Sequence, residues 1–326
     1  MADQAKKHLI VVGACYLDTI LRNAPPTVVP FFPSEDSKLR ATSLSIRRGG
    51  NCPNSLEVLE QLLVDHDALQ LHLVSPLPNA SSSATRRIIS SFGPESNINF
   101  HHCIYRDAST EAASSYIIRS EESGSRTLVN YNDLPEMTRD EFEPIARSFN
   151  PGQETWWHFE ISVEVEKPGR EGLSELAAEA DVVFYSRSWA ESRGHQSPEA
   201  CLRAEGHRKA YVESEIVSLA LCTWGAGGAA GLSRSAGECF RCPVQGEAGG
   251  DICVAEYSAV GAGDTFIAGM LYGLLCHPGD WSPGEKLGFA VRLATLKVQR
   301  EGFAGLGADM LGTWMRSSAR LVPSAV

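Results

Sequence analysis

Between Ala259 and Leu275 the chain reads AVGAGDTFIAGMLYGLL: the small residues Gly261, Ala262 and Gly263, then Asp264, directly ahead of an apolar run with helical spacing. The first turn of a helix leaves backbone N–H groups without partners and concentrates partial positive charge, so it is a natural anion site. Glycines there let an anion approach closely. With the amides of Gly261, Ala262 and Gly263 around a developing phosphate charge, a carboxylate at Asp264 is placed to accept a proton from an attacking hydroxyl. An Asp that merely caps a helix after a glycine turn fits these four residues equally well, so the pattern alone leaves both readings open.

A second group lies far upstream. In RRGGNCPNS, Arg47 to Ser55, two glycines, the second being Gly50, expose backbone to a ligand, and Asn51 and Asn54 follow at i,i+3 spacing. That spacing puts both amides on one helix face, where they can read neighbouring hydroxyls. Asp18, read as the end of the first strand, adds an acceptor at the carboxyl edge of a parallel sheet, where ligands of such folds bind. Together with the distant GAGD, these residues describe a polyol pocket facing a phosphate site.

Such residues need elements to hold them. HLIVVGACYLD reads as a strand, NSLEVLEQLL has helical periodicity and LQLHLVS is again a strand, which is the βαβ rhythm of a parallel sheet. Two segments, about 21–48 and 99–131, carry short alternating strands and read as a small β-rich appendage. ADVVFYSRSWAE, SPEACLRAEGH and EIVSLALCTWGAGG then resume the strand and helix alternation, with no internal repeat and no low-complexity tract.

Composition bounds the function. A chain of 326 residues, 43% hydrophobic and 21% charged, buries a large core. Its formal net charge of -11, with no lysine or arginine stripe, argues against nucleic acid as a partner. Apolar stretches stop short of the length that spans a bilayer, and the N-terminal run lacks signal-peptide form, so no membrane partner and a cytoplasmic location are expected. The nine scattered cysteines do not read as a disulfide framework, and the lone CxxC at Cys239 and Cys242 lacks the second ligand pair that zinc requires. CTWGAGGAAGL has the outward form of a dinucleotide fingerprint, but the next residues, LSRSAGECFRCP, carry no helical stripe, so the context such a motif needs is missing.

With both groups and their elements in place, the chain resembles the PfkB-type carbohydrate kinases, and within them the ketohexokinase (fructokinase) branch. SEDSKLR, RRGGNCPNS, SGSRT, NDLPEMTRDEF, SVEVEKPG, DVVFYS and GAGDTF carry the resemblance in order over nearly the whole chain. It implies a ribokinase-like α/β fold: a single three-layer αβα domain over 1–326 with a mostly parallel central sheet, the β appendage serving as a lid. It also implies ATP- and Mg2+-dependent phosphorylation of a sugar hydroxyl, for this branch fructose to fructose 1-phosphate. By the same resemblance Asp264 is the general base, and the amides of Gly261, Ala262 and Gly263 form the anion hole beside the nucleotide. Asp18, Gly50, Asn51 and Asn54 hold the sugar, and Arg126 of SGSRT lies over the pocket from a lid strand. Asp36 of SEDSKLR reaches a partner's pocket, since lids of this branch clasp as homodimers. Gly225, Ala226, Gly228 and Ala294 line the nucleotide.

Departures from the family pattern are specific. Ser258 stands where the family carries an aspartate tied to a monovalent cation, which leaves a K+ requirement open. Ala226 and Gly227 replace acidic residues, and SRSW, Ser186 to Trp189, replaces the family's NxxE. Glu164 and Glu166 are then the carboxylates to consider near magnesium, or else the polar face of an alternating strand. Glu160 joins Ile161 directly, where the family has a helix between two parallel strands. Such a crossover takes a dozen or more residues, so a segment is missing at 160/161, by natural loss or by an error in the gene model. The alternative function is therefore a catalytically impaired sugar- or nucleotide-binding protein of the same ancestry.

Overall fold

The computed structural model describes residues 6–22, 35–36, 38, 41, 43–63, 69–119, 126–149, 152–159, 173–214, 216–234, 237–244 and 260–319. The chain divides into two compact units, Met1–Glu160 and Ile161–Val326.

The first unit runs β1 (Lys7–Val12), β2 (Tyr16–Arg22), β3 (Ser43–Gly49), α1 (Asn51–Leu62), β4 (Leu69–Val74), β5 (Pro76–Pro78) and α2 (Ser83–Ser90). It continues with β6 (Ile104–Arg106), β7 (Ser114–Arg119), β8 (Arg126–Tyr131), α3 (Arg139–Ser148) and β9 (Thr155–Phe159). β1 is parallel to both β4 and β9, in the order β4-β1-β9. Leu9, Ile10 and Val11 are fully buried, as expected of a parallel strand covered on both faces. Ile10, Val12 and Val74 pack against Phe142 and Ile145 of α3, and α1 lies along β1 and β4.

A second sheet has the order β3-β2-β7-β8, and β6 pairs with β5 outside it. Here the structure corrects one expectation. HLIVVGACYLD is not a single strand: the chain bends at Gly13 and enters β2, so Asp18 lies inside the second sheet, opposite Arg47 of β3 and Ser115 of β7. The apolar run is continuous in sequence, but its two halves are claimed by different pairing partners.

The second unit contains α4 (Leu173–Ala177), β10 (Val182–Tyr185), α5 (Arg187–Ser192), α6 (Pro198–Gly206), α7 (Lys209–Glu213) and β11 (Leu219–Thr223). β12 (Ala229–Ser233), β13 (Glu238–Cys242), α8 (Ala262–Cys276), α9 (Pro283–Val298) and α10 (Leu306–Ala319) complete it. β10 and β11 are parallel, and β12 and β13 continue the sheet antiparallel. Alternate residues of β11 face opposite sides. Ala220 and Cys222 join Cys201 and Leu202 of α6, while Leu219 and Leu221 join Phe266 and Met270 of α8 with Leu287 and Ala290 of α9. This unit is thus three-layered, with helices on both faces of its sheet. A side chain at Gly269 would meet the Ala290 Cα at 2.8 Å, so glycine sets the close approach of α8 to α9. Among the described residues no helix is long and apolar enough to cross a membrane. SVEVEKPG and the 160/161 junction lie outside the described residues.

Candidate active site

In the second unit GAGD opens α8. Gly261 is its N-cap, with φ 78° and ψ 4°, and among the described residues no side chain caps the helix. The Gly261 carbonyl accepts from the Thr265 backbone N–H at 2.9 Å and from Thr265 Oγ1 at 2.7 Å, which fixes the turn. A Cβ at Gly261 would meet the Phe303 ring at 2.5 Å, so both the left-handed backbone and the close ring require glycine. Among the described residues, in contrast, a Cβ at Gly263 would meet nothing within 4 Å. Asp264 is the third residue of the helix and 8% exposed.

The candidate nucleotide loop comes directly after β11. Gly225–Gly227 form one 3-10 turn, closed by Trp224 N–H donating to the Gly228 carbonyl at 2.7 Å, and the chain returns antiparallel as β12. A dinucleotide fingerprint opens a helix in a βαβ unit, so the antiparallel return excludes that reading. Gly225 and Ala226 are exposed, and Gly225 has φ 55°. Gly228, at φ 86°, leaves no room for a side chain: a Cβ there would meet the Cys242 carbonyl oxygen at 2.1 Å. Ala294 lies on α9 and packs against the core shared with Phe266. Ser186 Oγ accepts from the Trp189 backbone N–H, so the SRSW segment caps α5.

In the first unit the sugar-side candidates cluster where β3 runs into α1. The Asp18 carboxylate lies so close to Gly49 that a Cβ there would sit 2.3 Å from Oδ2. Gly50, at φ 100°, brings the chain against the Ala14 carbonyl, where a Cβ would clash at 2.4 Å. Asn51 begins α1, and Asn54 is buried one turn on, its N–H donating to the Gly50 carbonyl at 3.1 Å. Sequence reasoning missed Arg48. Its buried guanidinium pairs with Glu57, donates to Asn54 Oδ1 at 3.3 Å and to Ser91 Oγ at 3.0 Å, and lies 4.1 Å from the Phe92 ring centroid. Burial pushes the Glu57 carboxyl up, against the opposing pull of Arg48. Cys15, fully buried beside these groups, has its thiol pushed up to about 12 by desolvation.

Asp36 is exposed, in a turn with φ 61°. Arg126 begins β8, opposite Arg119. Glu164, Glu166 and Ser258 lie outside the described residues. Among the described residues no group of three His, Cys, Asp or Glu side chains is placed to hold a metal ion. Cys239 and Cys242 sit three residues apart on β13, and so on opposite faces of the strand.

Residues 162–306 match the pfkB family carbohydrate kinase domain. Mouse ketohexokinase is 25% identical over 334 aligned positions, covering 92% of this chain and 99% of that protein. Among solved structures, ribokinase from Giardia lamblia superposes with a TM-score of 0.71 at 16% identity, over 95% of this chain and 100% of that one. Arabidopsis thaliana ribokinase, complexed with ribose and ATP, gives 0.68 at 16% identity, over 94% and 98%. At such identities the solved structures establish the fold, and the matched segment contains both the candidate nucleotide loop and GAGD. These findings give the chain a ribokinase-like fold, with residues 162–306 matching the pfkB family carbohydrate kinase domain and nearly the whole chain similar to a ketohexokinase.

Proposed function

We propose that this protein transfers the γ-phosphoryl group of ATP to a sugar hydroxyl, with fructose as the sugar and fructose 1-phosphate as the product. The observation that carries the reading is the opening of α8: among the described residues, an N-terminus with no capping side chain at a left-handed Gly261, open space beside Gly263, and a nearly buried carboxylate at Asp264. Asp264 accepts the hydroxyl proton as that oxygen attacks the γ-phosphorus, the bond to the ADP oxygen breaks, and the amides of Gly261, Ala262 and Gly263 take up the charge on the transferred group. Asp18, Gly50, Asn51 and Asn54 hold the sugar, with Arg126 over it; Gly225, Ala226, Gly228 and Ala294 line the nucleotide. A single domain over 1–326, lacking a family helix at 160/161, belongs to this reading.

Mg2+ in such kinases rides largely on nucleotide phosphates and water, so a dedicated cage of side chains is not required. Glu164 and Glu166 are the candidate carboxylates, and no step here is routed through a metal or through K+.

A homodimer through the β3-β2-β7-β8 sheet goes with the reading. The strand register puts Leu44, Ile46, Tyr116, Val129 and Tyr131 on one face of that sheet, and all five are exposed. A contiguous apolar face of this kind suits a protein partner, and Asp36 would reach the pocket of the second copy. Cys15, Cys103, Cys201, Cys222, Cys239 and Cys242 carry reduced thiols, in keeping with a cytoplasmic location.

ATP turnover by the 326-residue chain against fructose, ribose and adenosine tests the proposal. Faster ADP release with fructose than with the other two supports it, preference for another acceptor changes the sugar, and nucleotide binding without turnover on any of the three points to the impaired binding protein.

A further inference from the structure

β10 and β11 run parallel, with Tyr185 at the end of one opposite Cys222 near the end of the other. The segments that leave them therefore emerge together at the carboxyl edge of this sheet, where open α/β sheets bind ligands. From β10 the chain enters α5, whose first residue is Arg187; from β11 it enters Trp224 and the candidate nucleotide loop. Across that edge the Arg187 guanidinium lies over the Trp224 ring, 5.5 Å from its centroid. The same indole backs the loop, since a Cβ at Gly227 would meet Trp224 Cδ1 at 2.9 Å. One ring thus joins Arg187 to the turn that Gly225–Gly227 form. The fold itself uses only part of this arginine. Its Nε donates to Glu191 Oε1 at 2.7 Å, an i,i+4 pair between exposed side chains, and such pairs add little to stability. Nη1 and Nη2 donate to no protein group among the described residues. The ring and the tether at Nε hold the guanidinium plane and leave its outer edge as a two-pronged donor, a shape that matches two oxygens of a phosphate. Trp224–Gly228 carries no acidic side chain to repel such an anion, and Gly225 and Ala226 are exposed.

We infer that Arg187, steadied by Trp224, binds the phosphate chain of the nucleotide, with Nη1 and Nη2 donating to phosphate oxygens. The inference rests on the kinase reading above and adds to it a cation that the glycine-rich loop does not contain. An arginine that served only its pair with Glu191 would behave like Glu191 itself on substitution. A phosphate-binding arginine behaves oppositely, because Glu191 competes with the phosphate for the same guanidinium.

The test uses the full chain in Mg2+ buffer, with Kd for ATP and ADP read by calorimetry in the absence of sugar. Arg187→Gln is expected to weaken both nucleotides about 10- to 100-fold. Its unliganded Tm should stay within about 2 °C of the parent, because the side chain it replaces is exposed. Glu191→Gln breaks the same ion pair but frees the guanidinium, so its nucleotide Kd should equal the parent's or be up to about threefold tighter. Parent-like Kd values in Arg187→Gln, or a loss in Glu191→Gln as large as that in Arg187→Gln, overturns the inference, while nucleotide binding by the parent leaves the kinase reading standing. A parent chain that binds neither ATP nor ADP overturns both.

Discussion

At the position of Asp264 a carboxylate and an amide differ by one atom in shape but only the carboxylate can take a proton. Asp264→Asn is therefore expected to lower kcat by about two to four orders of magnitude with ATP Kd changed by less than about threefold. Near-parental turnover would remove Asp264 from the mechanism. The two glycines of the same turn separate backbone demand from ligand demand. Gly261→Ala must strain φ 78° and displace the Phe303 ring, so it should cost about 1–3 kcal/mol of stability. Gly263→Ala meets nothing among the described residues, so its Tm should match the parent while its methyl intrudes where the phosphoryl group is proposed to lie. Thermal melts and kcat on the pair decide this: a Gly263→Ala variant with parental kcat means that the empty space is not used.

The element that orders the sugar-side candidates is the corner where β3 becomes α1. Arg48 ties its own strand to α1 through Asn54 and Glu57, and to the end of α2 through Ser91 and Phe92. Arg48→Met keeps much of the packing but leaves Glu57 without its cation and the Asn54 amide without the donor that orients it. About 2 kcal/mol of stability should be lost, a modest figure because Glu57 is partly exposed. The sugar KM should rise severalfold with ATP KM unchanged. Urea melts and separate titrations of the two substrates check both, and an unchanged sugar KM would dissociate this corner from the pocket. The neighbouring Asp18 shows why the corner was only half legible: RGGN is a local pattern, but what Asp18 faces depends on strands paired across the second sheet.

For the molecule as a whole, the buried histidines set an acid limit. Burial lowers His72 and His158 from 6.5 to about 4, and His8, hydrogen-bonded to His72 at 3.0 Å, is lowered as well. Lys6 beside His8, and His102 beside His72, push the same way. The unfolded chain takes up these protons first, so stability is full above pH 6.5 and falls as pH drops toward 4. Each group contributes a slope of up to about 1.4 kcal/mol per pH unit. Urea midpoints at pH 7 and pH 5 should differ clearly, and His72→Gln should flatten the difference; equal midpoints in the parent would refute neutral burial. At the 160/161 junction, where the two compact units divide, the proposal of a missing helix predicts a specific gain. A family-like helix and loop inserted after Glu160 should raise Tm and turnover together, and equal values with and without it would show that the shorter chain is complete in itself.

Local patterns determined much of this protein without any coordinates. The i,i+3 amides and apolar stripe of NSLEVLEQLL specify α1, LQLHLVS specifies β4, and GAGD ahead of an apolar run specifies a helix with an open first turn, because hydrophobic period and glycine content act over neighbouring residues. The ordered motifs from RGGN to GAGD carried the resemblance to the PfkB-type kinases for the same reason. Tertiary structure alone decided that the run through Val12 and Tyr16 splits between two sheets, and that the glycines after Thr223 turn into an antiparallel strand. It also decided that Arg48 is buried against Glu57 and that Lys297 and Phe303 come up behind Gly261. Each of these depends on which distant segment supplies the pairing edge or the packing surface, and hydrogen-bond partners and burial across such distances leave no period in the sequence from which to read them.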